Sequence, residues 1–119
     1  MTRARFARLV EEALEALPEK FARLVKNVAV VVEDEPPADR AARVPDEDPE
    51  SLLLGEYIGV PLTERGAWEA HPPDRIVLYQ KNIEAVCDSE DEIREEVRLT
   101  VLHELGHYFG MDEEQLEGV

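Results

Sequence analysis

The sequence predicts an α+β domain: an N-terminal helix, a small mixed β-sheet and a C-terminal helix. Three observations point that way. Residues 3 to 17 repeat apolar side chains at helical spacing, short apolar runs in the middle of the chain are bounded by Pro, Gly or acidic residues, and residues 89 to 110 return to helical spacing. With 119 residues there is room for one domain, 1–119, and a thin core.

The elements follow in order. Phe6, Leu9, Val10, Ala13, Leu14 and Leu17 form one apolar stripe on an amphipathic helix. Pro18 interrupts it, and Phe21, Leu24 and Val25 suggest a further short helical turn. Val28 to Val32 is a compact β-branched run, the best strand signal in the chain, with Leu52 to Val60 and Arg75 to Gln80 as its expected partners. Residues 33 to 50 hold eight acidic residues, two Arg and four prolines without apolar periodicity, and read as a solvated acidic loop. Ser89 followed by Glu92 is a capping-box pattern. Beyond it Ile93, Val97, Val101, Leu105, Tyr108 and Phe109 share one side of a helix, and Gly110 supplies the stop.

Composition narrows the function. The 28 acidic against 13 basic residues give a net charge of −15, which excludes a phosphate-tracking surface: no nucleic acid is expected as partner. An anionic membrane would repel the chain as well, and no apolar run approaches the ~20 residues that cross a bilayer. The N-terminal residues read as helix and not as a signal peptide. A single cysteine, Cys87, allows no intramolecular disulfide and no cysteine-based zinc knuckle. A cytoplasmic protein is expected. Cys87 itself reads as a small buried residue.

The chemistry concentrates in the last helix, where residues 103 to 107 read H-E-x-x-H. Residues four apart stack on one helical face, so the imidazoles of His103 and His107 can reach one metal ion. Both lie beside the apolar stripe, at the border of core and solvent. Neutral imidazole is a good zinc donor, and a catalytic zinc keeps one position for water. Glu104, on the flank of the pair, has the chemistry of a general base. A histidine pair without it would bind metal and have no evident base. His71, ahead of Pro72 and Pro73, reads as a solvated loop residue, and the helical phase of Tyr108 groups it with the core.

A third protein ligand has to return to the metal after the turn at Gly110. Asp112 is the first carboxylate to do so, and carboxylate oxygen is an acceptable zinc donor. Glu113 and Glu114 follow directly and compete for the place. The stretch HELGHYFGMD is similar to the metzincin pattern, in which the third ligand is His.

A broader resemblance covers most of the chain. TVLHELGHYFGMDEEQL (residues 100 to 116), LLGEYIGVPLTER (53 to 65), PDRIVLYQKNIE (73 to 84) and VAVVVEDEP (28 to 36) resemble the small bacterial zincin-like metallopeptidase family. The resemblance implies a minimal zincin-like domain with a C-terminal metal-binding helix, Zn2+ on His103 and His107, and Glu104 as catalytic base. It implies hydrolysis of peptide bonds through an activated water, with a peptide or unfolded protein as substrate. Zincins present an edge strand beside the metal helix, and Arg75 to Gln80 is the candidate, with an internal position as the other reading. The rival function is a metal-bearing, acidic binding or regulatory module without turnover.

Overall fold

The computed structural model describes residues 1–25, 28–37, 52–59 and 74–108. The elements are α1 (Arg3–Glu15), α2 (Glu19–Val25), β1 (Ala29–Glu33), β2 (Gly55–Ile58), β3 (Arg75–Tyr79), α3 (Gln80–Val86) and α4 (Glu90–Tyr108). The architecture is the expected α+β arrangement of a small three-stranded sheet, an N-terminal helix and a C-terminal helix bearing the His-Glu-His group.

Helix α1 begins where Thr2 caps it, its hydroxyl accepting the Arg5 N–H at 3.1 Å. Phe6, Leu9, Val10 and Ala13 are its buried face. The helix ends two residues earlier than the apolar stripe does, yet Leu17 is still buried beyond it. The Pro18 carbonyl then accepts the N–H groups of Phe21 and Ala22, so the residue that stops α1 also starts α2.

The strand order is β1-β3-β2, with β1 parallel and β2 antiparallel to β3. Register places Val30, Ile76 and Tyr57 on one face, together with Val32, Leu78 and Gly55. Ile76 and Leu78 are fully buried in the core that α1 and α4 complete with Phe6, Leu9, Ile93, Val97, Val101 and Leu105. Helix α4 is the hub and packs on α1, α2, α3, β2 and β3.

Two expectations change here. Arg75–Tyr79 is internal, paired on both sides, and so cannot be the edge beside the histidine helix. Its Ile-Val-Leu-Tyr run is buried on both faces, as a central strand's is, whereas β1 alternates exposed and half-buried residues. Gln80, expected at the end of this strand, instead opens α3. That helix has no counterpart in the sequence reading: it is seven residues long, Tyr79 gives it no side-chain cap, and Ile83 is its single fully buried apolar residue. Gln80 is itself buried, accepting from Arg3 Nε at 2.7 Å and donating to the Met1 carbonyl and the Glu84 carboxylate.

The start of α4 follows the sequence. Ser89 Oγ accepts the Glu92 N–H at 3.2 Å, while the Glu92 carboxylate reaches back to the Asp88 N–H at 2.7 Å, one residue upstream of the usual capping-box donor. Among the described residues no helix is long and apolar enough to cross a membrane. Most of the acidic loop (38–50), His71 and the Gly110 stop lie outside the described residues, as do Phe109 and the side chain of Tyr108.

Candidate metal centre

Helix α4 brings His103, Glu104 and His107 into one group, with one possible ligand atom from each lying within 4.8 Å of the others. The imidazole rings meet edge to face, 4.8 Å between centroids and 73° between planes. Both histidines are half-buried, as their helical phase predicts. Behind them Val101, Leu102 and Leu105 are buried and hold this turn of the helix against the core. The two imidazoles thus have a packed wall on one side and an accessible face on the other.

Glu104 goes deeper than its place in the sequence suggests. It is only 8% exposed, and its Oε2 accepts the Tyr57 N–H of β2 at 2.7 Å. A buried carboxylate needs such donors, since ionised oxygen loses water without replacement otherwise. The donor is informative. Tyr79 N–H binds the Leu54 carbonyl at 2.9 Å, so alternation along the antiparallel pair turns the main-chain groups of Gly55 and Tyr57 away from β3. Glu104 therefore meets β2 at its outer edge. Among the described residues, the edge strand beside the histidine pair is β2, in place of the expected Arg75–Gln80.

Two glycines let β2 come this close. A Cβ on Gly55 would stand 2.6 Å from Thr100 Cγ2 and 3.0 Å from the Val77 carbonyl, so only glycine admits α4 at this distance. At Gly59 a Cβ would fall 2.2 Å from Asp74 Oδ1, the oxygen that accepts the Tyr57 hydroxyl at 2.9 Å. Buried Asp74 thereby anchors the far end of β2.

An open groove of about 570 Å³ runs from His103 and Glu104 along α4 toward Glu96, Leu99 and Thr100, with Leu52 to Gly55 and Val86 on its other side. Sequence reasoning did not single out Gly55, Tyr57, Leu99 or Glu96. The glycine spacing in Gly55-Glu-Tyr-Ile-Gly59 was the available signal for β2. Cys87, at the end of α3, is half-buried against the core, and burial together with Glu96, Glu92 and Asp88 pushes its thiol pKa up. It is a packing residue and a poor nucleophile. Asp112, Glu113 and Glu114 lie outside the described residues.

The donor set suits a divalent metal, since two imidazoles and a neighbouring carboxylate are ligand types of zinc sites. Comparison with known proteins agrees. Residues 25–119 match the family described as zincin-like metallopeptidase. No curated protein matches the chain. Among solved structures, a conserved hypothetical protein from Thermus thermophilus is similar at 30% identity, over 98% of each chain, with a TM-score of 0.56.

Proposed function

The chain belongs to the zincin-like metallopeptidase family, and from that premise we propose that it hydrolyses peptide bonds in extended or unfolded polypeptide, with His103 and His107 holding zinc and Glu104 as general base. The observation that carries this reading is the position of Glu104. Its carboxylate lies beside both imidazoles, is held by the Tyr57 N–H of β2 and lines the open groove where an extended substrate would run. Bound zinc supplies a Lewis acid that polarises a carbonyl oxygen and brings the pKa of water down to about 7.

The chain's own residues do the rest. The groove between α4 and the Leu52–Gly55 segment orients the extended peptide, so the scissile carbonyl arrives beside the histidine pair. Glu104 takes the proton of the attacking water and passes it to the leaving amine nitrogen. The Tyr57 N–H fixes the rotamer from which it does so. For the third ligand we propose Asp112, the first carboxylate beyond Gly110, with Glu113 and Glu114 as alternatives. Counting three residues beyond Gly110, as the metzincin pattern does, leads to Glu113. Order of return favours Asp112.

The test is Glu104→Gln. The amide is nearly isosteric and leaves both histidines in place, but it cannot accept the proton. Zinc content and fold should be retained while chelator-sensitive cleavage of an unstructured peptide mixture near neutral pH falls by about 10² to 10⁴-fold. A wild-type protein that binds zinc and cuts nothing would move the weight to the binding-module reading. Equal cleavage by wild type and Glu104→Gln would keep the enzyme and remove Glu104 as its base.

A further inference from the structure

We propose that the groove between α4 and the Leu52–Gly55 segment is a substrate subsite that takes an apolar side chain next to the scissile bond and a Lys or Arg two residues further along, with Leu99 and Glu96 setting the preference. The proposal rests on the peptidase reading above. It starts from exposure that packing among the described residues leaves in place. Leu52, Val86 and Leu99 are 43%, 51% and 47% exposed, and all three line the same groove that ends at His103 and Glu104. Scattered exposed apolar residues are ordinary, but three converging on one groove beside a candidate catalytic pair form a recognition surface.

Spacing along α4 sets which substrate position meets which residue. Leu99 precedes His103 by one turn, about 6 Å along the axis, and Glu96 by two turns, about 10.5 Å. An extended peptide advances about 3.3 Å per residue. A substrate running down the groove from the histidines therefore offers its first or second residue to Leu99 and its third to Glu96.

The charge at the far end gives the chemistry of that third residue. On the same helix the acids Glu90, Asp91 and Glu95 are each paired with an arginine, and the Glu92 carboxylate accepts the Asp88 N–H. Glu96 lines the groove and makes no ion pair among the described residues. In a chain of net charge −15 its carboxylate favours a cationic occupant and disfavours an acidic one. The occupant that complements an apolar wall ending in a carboxylate is an apolar residue with a basic one two positions further along, on the same face of the extended chain.

The experiment uses the zinc-loaded full chain and three labelled, unstructured ten-residue peptides that carry Leu-Ala-Lys, Leu-Ala-Glu or Ser-Ala-Lys at their centre. Binding is read by fluorescence anisotropy before cleavage is detectable, and products are then read by mass spectrometry. The Leu-Ala-Lys peptide should bind about tenfold tighter than Leu-Ala-Glu at low salt, the sum of a lost attraction and a gained repulsion at an accessible site. Glu96→Arg should reverse that order. Leu99→Gln should weaken the Leu-Ala-Lys peptide by about fivefold and leave the charge preference intact. Both positions are partly exposed, so the fold survives, which circular dichroism checks. An unchanged order in Glu96→Arg, or equal binding of the Ser and Leu peptides by wild type, overturns the subsite. Ordered binding without any cleavage would sink the peptidase reading and leave the groove standing. Cleavage without the ordering would do the reverse.

Discussion

His103, Glu104 and His107 are adjacent in sequence and adjacent in space, which is the simplest way a helix can assemble chemistry. The two histidines are one turn apart, and the residue after the first points to the flank, where it finds the Tyr57 N–H of β2. In the proposed site, with two helical imidazoles, zinc binding depends on single side chains. Either His103→Ala or His107→Ala should abolish the zinc, about one ion per chain in wild type, when the purified proteins are measured by elemental analysis. Both mutants retaining full metal would place the site elsewhere. Among the acids beyond the helix, Asp112→Ala should weaken zinc affinity far more than Glu113→Ala or Glu114→Ala in competitive chelator titration. A larger effect at Glu113 would favour the metzincin count over order of return.

At the scale of elements, the position of the histidine turn depends on how α4 is fastened. Its apolar stripe packs on α1, and two ion pairs seven residues apart on α1 run along one flank of the contact. Arg5 holds Glu90 through two hydrogen bonds of 2.8 and 2.6 Å, and Arg94 joins Glu12 at 2.6 Å and Asp91 at 2.7 Å. The Arg5 hydrogen bond keeps the Glu90 pKa below the usual carboxylate range, and the Arg94 hydrogen bond does the same for Glu12. A depressed carboxylate pKa contributes stability that is present above the unfolded value, about 4.3 for Glu, and lost as pH falls through the folded value. The melting temperature of wild type should therefore exceed that of an Arg5→Met/Arg94→Met variant at neutral pH and low salt. The gap should close as the pH drops below about 4, and narrow in high salt, because exposed pairs are screened. A gap that persists unchanged in acid would show that the arginines act through their aliphatic stems.

For the whole molecule, a thin core and a net charge of −15 leave little margin of stability. Binding of a divalent cation to the folded form alone raises that margin by mass action. At a hundredfold excess over its dissociation constant the gain is about 2.7 kcal/mol, which in a domain of this size is about 10 °C in melting temperature. Thermal unfolding with zinc and with chelator should show this shift in wild type, and His107→Ala should melt at the same temperature in both. An equal zinc shift in the mutant would mean that the ion stabilises by binding surface acids. The same shift should appear in Glu104→Gln, separating metal binding from proton transfer.

What local spacing encodes was legible in the sequence. Helical periodicity located α1 and α4, Ser89 and Glu92 located the start of α4, and the H-E-x-x-H run located the candidate ligands, because a helix is built from contacts within one or two turns. Strand segments were visible as apolar runs, but their neighbours were not. A strand's place in a sheet depends on pairings between distant residues, and periodicity alone does not separate an internal strand from an edge. Only the tertiary structure put Arg75–Tyr79 in the centre and, among the described strands, Gly55–Ile58 at the edge beside the histidines. Helix α3 was hidden because seven residues with one fully buried apolar anchor carry too little periodic signal. The groove had no local signature at all. Leu52, Val86, Leu99 and Glu96 come from three separate segments, and their common surface exists only once Gly55 lets β2 approach Thr100.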